Sequence, residues 1–114
     1  MEAELNSIGF NPTTYLRQVR RKAREAGYDP ESVTFSDKAE KKLVLVTPQG
    51  RRVYFGATGY GDFLIYSFLE SKGVVPSGTA DKKRNTFQKS HRAMRGAWRT
   101  DPYSANRLAL DLLW

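Results

Sequence analysis

The side chains that could carry out chemistry in this sequence are few, and they do not form a complete catalytic set. His91 is the only histidine and there are no cysteines, so a histidine zinc site, a thiolate metal site and a disulfide are excluded. We interpret His91 as a helix residue packed between Phe87 and Met94, rather than as a proton donor or phosphate contact beside Arg92. The sequence therefore predicts no catalytic residue, no metal and no cofactor, and a protein that is not an enzyme.

Three aspartates, Asp62, Asp81 and Asp101, could be taken for a carboxylate metal site. Each of them directly precedes a run of helical sequence, where an aspartate caps the free amide groups, and we favour capping. A nuclease that uses Tyr60 or Tyr66 is the least favoured alternative, because neither hydroxyl has a defined catalytic partner.

The segment Gly56–Gly61 has the glycine content of a phosphate-binding loop. It lacks the Gly-Lys-Ser/Thr ending of a P-loop, and its spacing differs from that of the dinucleotide-binding motif. We therefore predict a turn that joins a hairpin to a helix.

Basic residues give the strongest functional signal. The chain has 19 Lys and Arg against 12 Asp and Glu, a net charge of +7, and such a charge favours nucleic acid, anionic membranes or acidic protein surfaces. Five basic residues lie within positions 17–24 and seven within 82–99, and the second segment contains no acidic residue. A solvated helix face is the plainer alternative to phosphate binding. The predicted phosphate contacts are Arg17, Arg20, Arg21, Arg24, Lys82, Lys83, Arg84, Lys89, Arg92, Arg95 and Arg99.

Three aromatic residues, Trp98, Tyr103 and Trp114, could stack on bases or dock into a partner protein. Leucines accompany them at positions 108–113, so packing within the last helix is the simpler explanation. Trp114 must either pack into its own domain or fill a pocket on a neighbour.

The N-terminal half is predicted to hold one helix. Residues 1–10 are interpreted as an arm, and residues 11–114 as a single α+β domain. Asn11 and Pro12 suit the start of a helix, and Gly27 suits its end. The predicted inner positions of this helix are Leu16, Val19, Ala23 and Ala26.

The clearest β pattern is a hairpin formed by residues 43–47 and 51–55 across Pro48-Gln49-Gly50. Residues 32–36 could add a short third strand, and the polar segment 38–42 is expected to be exposed. A lone hairpin is marginal in water, so helices must cover one face.

The C-terminal half is predicted to be helical. Residues 63–70 are apolar nearly all round, which places them at the centre of the core. A long basic helix, capped by Thr79, is expected over 80–99. A closing helix begins after Asp101-Pro102 or at Ser104. The expected inner stripe of the long helix is Phe87, His91, Met94 and Trp98. The predicted fold is thus a hairpin or three-stranded sheet packed by an N-terminal helix and two or three C-terminal helices.

Three stretches carry a family resemblance. They are Phe55-Gly56 with Gly59–Phe63, the basic segment with Ser90-His91-Arg92 and Trp98, and the ending Leu108–Trp114. Together they resemble a family of small uncharacterised basic proteins encoded by large and mid-sized eukaryotic DNA viruses. The resemblance covers about residues 43–114, and it implies a viral context and a virion component without implying any catalytic residue.

We therefore predict a non-enzymatic basic viral protein that binds nucleic acid non-specifically through phosphate contacts, with DNA favoured over RNA. The alternative is a minor capsid or cement protein that contacts viral capsid proteins through Trp98, Tyr103 and Trp114. The N-terminal residues do not form a secretory signal, and no apolar run approaches the roughly 20 residues that span a bilayer. We expect no membrane association and a location in the virion interior, or in the nucleus or cytoplasm of an infected cell. The oligomeric state stays open.

Overall fold

The computed structural model describes residues 1–114 and contains a three-stranded antiparallel sheet with helices before and after it. This architecture confirms the predicted α+β class. The elements are α1 (Glu2–Ser7), α2 (Pro12–Glu25), β1 (Val33–Phe35), β2 (Lys41–Val46), β3 (Arg52–Ala57), α3 (Phe63–Ser71), α4 (Thr79–Arg92) and α5 (Ala105–Leu108), with short 3-10 turns at Pro30–Ser32 and Ala97–Arg99. α5 continues into a π-helical turn at Ala109–Leu113.

The sheet has the order β1-β2-β3, so β2 is its central strand. Val33 lies opposite Leu45, and Leu43 lies opposite Phe55, which confirms the predicted hairpin and third strand. Consecutive residues of β2 are buried because both faces of this strand are covered. The prediction that 38–42 is exposed is wrong for Lys42, which lies inside β2 and is only 2% exposed.

The predicted start of α2 is confirmed. The Asn11 side chain accepts a hydrogen bond from the Thr14 amide at 3.2 Å, and Pro12 occupies the first turn. Gly27 follows the helix with φ of 93°, a conformation that glycine adopts at little cost. Ala26 was expected to face inwards but is exposed, because the helix ends at Glu25 and the chain turns away.

Residues 1–10 are part of the packed domain. They contain α1, whose Leu5 is fully buried, and Phe10 is also buried in the main hydrophobic cluster. The Phe10 ring stacks on Phe68 with 4.4 Å between ring centres. The segment interpreted above as an arm therefore contributes two core residues.

α3 is not central to the core, contrary to the prediction from its composition. None of its residues is fully buried. Its N-cap is confirmed, since the Asp62 side chain accepts from the Ile65 amide at 3.0 Å. α3 packs beside α4 and over Phe10, so its apolar surface is divided among several partial contacts.

The long basic helix predicted over 80–99 is shorter. α4 ends at Arg92, and Gly96 (φ of 117°) separates it from the 3-10 turn. Gly78, rather than Thr79, occupies the N-cap position. Trp98 donates its indole N–H to the main-chain oxygen of Met94 at 2.7 Å, which stabilises the break. Met94, expected on the inner stripe, is 46% exposed because it lies beyond the helix end.

The last helical segment begins at Ser104, whose hydroxyl accepts from the Arg107 amide at 3.2 Å. Its leucines at 108, 110, 112 and 113 are buried. None of the helices combines the length and the apolar character needed to cross a bilayer.

Candidate nucleic-acid interface

The eleven predicted phosphate contacts have no acidic partners in the fold. The chain contains three ion pairs, in which the cations are Lys42, Arg52 and Arg107. None of these belongs to the predicted set, of which nine residues are exposed and two, Arg20 and Arg84, are half-buried. The charge of the two basic segments is therefore left without internal neutralisation.

α2 presents three exposed arginines on one face. Arg17, Arg21 and Arg24 are spaced by four and three residues, which aligns them along the helix. Arg20 has a structural contact, because its Nε donates to the main-chain oxygen of Val33 at 3.0 Å and so ties α2 to β1. The exposed surface of α2 is thus a short basic ridge.

α4 presents a second ridge formed by Lys82, Lys89 and Arg92, all exposed and at helical spacing. Arg95 is exposed but lies beyond the helix end. Arg99 turns back, and its guanidinium donates to the main-chain oxygens of Arg92 and Met94. Arg95 and Arg99 therefore lie at the break after α4 and do not extend its ridge.

The two basic segments meet at Phe63, the first residue of α3. The Arg84 guanidinium lies 3.7 Å from the centre of this ring, and Lys22 Nζ lies 5.9 Å from it. Arg84 Nε also donates to the main-chain oxygen of Trp114 at 3.1 Å. Burial lowers the pKa of Lys22, and the positive charge of Arg84 lowers it further. Both cations thus lie against the same ring, and the carboxylates of Asp62, Glu25 and Asp111 partly offset the lowering of the Lys22 pKa.

The three aromatic residues considered for partner docking all pack within the chain. Trp98 is buried, and Tyr103 contacts Tyr28 edge-on with 5.8 Å between ring centres. Trp114 is half-buried and stacks on Phe87 at 4.5 Å. These contacts favour the packing interpretation for each of them.

His91 has two internal contacts. Its ring stacks on Phe87 with 3.7 Å between centres, and Nδ1 lies 2.8 Å from Asn106 Oδ1. The Asn106 amide nitrogen in turn donates to the main-chain oxygen of His91 at 3.1 Å. Because an amide oxygen only accepts, the ring contact requires the proton on Nδ1. His91 therefore links α4 to α5.

A cleft of about 740 Å³ lies between the end of the hairpin (residues 56–57), α4 and the C-terminal segment (residues 105–114). Its walls include the stacked rings of His91, Phe87 and Trp114, and at its edge Tyr60 is 74% exposed. None of the 19 residues that line it is acidic, and three are lysines. The cleft is thus both aromatic and basic.

A buried polar centre beneath the cleft was not predicted from the sequence. The Asp62 carboxylate accepts from Lys42 Nζ at 3.0 Å and from the Tyr15 hydroxyl at 2.5 Å, in addition to its capping bond. Burial raises the pKa of Tyr15 well above its usual value, and the neighbouring Asp62 charge raises it further. Gly56, which packs against Lys42, has little room for a side chain, because a Cβ at this position would lie 2.8 Å from Leu113 Cδ1. The only sequence signal was the apolar run 43–46 that directly follows Lys42.

The other groups considered for chemistry have structural roles. Of the turn predicted over 56–61, residues 58–61 form a loop between the hairpin and α3, whereas Gly56 and Ala57 belong to β3. The Gly59 amide donates to the Glu4 carboxylate at 2.6 Å. Asp81 lies in the first turn of α4 rather than at its cap, and Asp101 accepts from the Tyr103 amide at 2.9 Å without capping a helix. No three His, Cys, Asp or Glu side chains converge as a metal site.

Comparison with known proteins identifies no relative: no family model, no curated protein and no solved structure matches this chain.

Proposed function

We propose that this chain binds nucleic acid through its phosphate groups, without regard to base sequence. The observation that carries the proposal is the absence of ion pairs among the eleven basic residues of the two segments, nine of which are exposed. Lysine and arginine side chains that neutralise phosphates release condensed counterions, and this release supplies most of the affinity of non-specific binding.

The arrangement of the ridges supports contact with an extended polyanion. Arg17, Arg21 and Arg24 form one ridge, and α4 carries the other, while Lys22 and Arg84 connect the segments at Phe63. A backbone with regularly spaced charges can engage several of these groups at once, whereas a single small anion cannot. The resemblance to the viral family leads us to propose genome packaging or organisation as the setting, with DNA as the favoured polymer.

The test is a titration of fluorescein-labelled duplexes of two unrelated sequences at about 50 and 200 mM salt. Six phosphate contacts would give a slope of log affinity against log salt of about −5, and affinity would be similar for both duplexes. Absence of binding even at 50 mM salt would overturn the proposal. An affinity that differs strongly between the two sequences would contradict the phosphate-only mechanism.

Charge-neutral variants locate the interface. One variant removes the α2 ridge (Arg17, Arg21 and Arg24 to Gln), and a second removes the α4 ridge (Lys82, Lys89 and Arg92 to Gln). Each should make the salt slope shallower by about 3, since each lost phosphate contact contributes about 0.9.

The matched control removes the same charge elsewhere. Lys38, Arg51 and Lys72 are exposed and lie outside both segments, so their joint replacement by Gln should leave the slope nearly unchanged. If the control lowers the slope as much as the ridge variants do, binding depends on net charge alone and not on the two ridges.

A further inference from the structure

We propose that the cleft between the hairpin end, α4 and the C-terminal segment binds an unpaired nucleotide of a single strand, with the base among its aromatic rings and the phosphate at its lysines. This inference rests on the proposed function and specifies which form of nucleic acid the chain recognises. The cleft volume of about 740 Å³ falls within the roughly 300–1,000 Å³ typical of small-molecule sites.

The aromatic wall suits a flat ring. His91 and Trp114 stack on Phe87 with angles of 12° and 13° between the ring planes. Phe87 is therefore covered, and a bound base would stack on an outer face of this group or on Tyr60. Tyr60 projects at the edge of the cleft with most of its surface exposed. Stacking on aromatic side chains is the common means of binding single-stranded nucleic acid, and it tolerates any base because every base has a π face.

The charge of the cleft selects an anion. Lys42 is neutralised by Asp62, whereas Lys41 and Lys83 line the cleft without an acidic partner. Lys83 Nζ lies 5.6 Å from the centre of the Tyr66 ring, which holds the ammonium beside the aromatic wall. The aromatic wall matches a flat ring and the lysines match a negative group. A nucleotide carries a base and a phosphate, and so it fits both surfaces.

The hydroxyl groups of Thr86 and Ser90 also line the cleft. The Thr86 hydroxyl donates to the main-chain oxygen of Lys82 at 3.1 Å, so it can only accept from a ligand. The Ser90 hydroxyl can donate or accept, and it can therefore contact the polar edge of different bases. This property agrees with binding that does not depend on sequence. A base inside a duplex is stacked and paired, and so it cannot enter a cleft of this kind without being extruded.

The experiment compares a fluorescein-labelled dT12 strand with a 12-base-pair duplex, using Tyr60→Ala and Lys41→Gln as cleft variants. Neither residue belongs to the basic ridges. Tyr60→Ala should weaken dT12 binding by about 5- to 100-fold, for the loss of one base stack. Lys41→Gln should make the salt slope of dT12 binding shallower by about 0.7, for the loss of one phosphate contact on a single strand. Neither substitution should change duplex binding by more than about twofold. Tyr54→Ala, an aromatic control outside the cleft, should leave dT12 binding unchanged.

A second readout uses Trp114 and the mononucleotide AMP. In a Trp98→Phe background, Trp114 is the only tryptophan, and stacking of AMP in the cleft should quench its emission in a saturable way. Tyr60→Ala should shift that titration to higher AMP concentration. The AMP titration does not depend on the basic ridges, so it measures binding in the cleft separately from phosphate binding on α2 and α4.

The outcomes distinguish the two proposals. If duplex and dT12 both bind and the cleft variants behave as wild type, the cleft proposal is overturned and phosphate binding by the ridges stands. If AMP quenches Trp114 and dT12 binds while neither duplex binds, the cleft proposal holds and the proposed phosphate binding by the ridges fails. If a poly-glutamate peptide quenches Trp114 and displaces AMP, the cleft serves an acidic protein segment, and the nucleotide assignment is overturned.

Discussion

Replacing Lys42 by Met tests whether the ion pair beneath the cleft is as desolvated as its contacts indicate. Lys42 and Asp62 are 2% and 0% exposed and lie 3.0 Å apart. The Met side chain preserves most of the aliphatic packing but leaves the Asp62 carboxylate buried, with only the Tyr15 hydroxyl and the Ile65 amide as partners. Removing one partner of a buried pair typically costs about 3–5 kcal/mol.

Urea unfolding, followed by circular dichroism, measures this cost. With a denaturant slope of about 2 kcal/mol per M, the midpoint of Lys42→Met should fall by about 1.5–2.5 M. This is a large part of the roughly 5–15 kcal/mol that stabilises an ordinary domain, so the measurement is made at low temperature, where the variant is most populated in its folded form.

A double-mutant cycle provides the control. Asp62→Asn keeps an oxygen for the Ile65 amide and an amino group facing the Tyr15 hydroxyl, but it leaves the Lys42 charge without its partner. In the double variant neither charge is stranded, so its cost should be smaller than the sum of the single costs by about 1–3 kcal/mol. A loss below 1 kcal/mol for Lys42→Met, or strictly additive costs, would refute the buried-pair account.

Further predictions concern stability. Burial raises the pKa of both Tyr15 and Tyr28. The stability that this contributes is fully present below the unfolded tyrosine pKa of about 10 and is lost above it, by about 1.4 kcal/mol per pH unit for each residue. Phe at either position should reduce this alkaline slope in urea titrations, and an unchanged slope would contradict the assignment. Gly56→Ala should cost about 1–3 kcal/mol more than Gly50→Ala, because both glycines have positive φ but only Gly56 is crowded; equal losses would mean that crowding has no effect. Asn11→Ala should lose about 1 kcal/mol through the missing cap, and a thermal melt identical to that of the wild type would show that the Thr14 amide finds another acceptor.

Local signals predicted most of the secondary structure. Asn11, Ser104 and Asp62 cap helices through contacts within three residues of the chain, and such contacts depend on neighbouring residue types alone. The hairpin was similarly defined by two β-rich runs and a turn. These features could be predicted because their causes lie within short windows of sequence.

The errors arose where distant residues decide the outcome. Lys42 is buried because Asp62, 20 positions later, neutralises it, and residue type alone predicts exposure for any lysine. The helix break after Arg92 depends on Gly96 together with the Trp98 contact to Met94. A periodic pattern cannot show this, because the inner stripe continues through the break in the sequence.

The candidate site was predicted in part. Its basic residues were identified by clustering, and most of them are exposed, but Arg20 and Arg84 also hold elements together through main-chain oxygens. The aromatic cleft was not predicted, since it joins Tyr60, Phe87 and Trp114 from three separate parts of the chain. Only the folded backbone brings these side chains to one place.

The direction of Trp114 depends on the number of residues in the π-helical turn at Ala109–Leu113 that precedes it. A π turn accommodates one more residue than an α turn, and one residue corresponds to a rotation of about 100° around the helix axis. Deleting a single residue would therefore let the segment close as an α turn with Trp114 still directed towards Phe87, whereas inserting one would rotate Trp114 away. The aromatic wall thus tolerates the loss of one residue from this segment more readily than the gain of one.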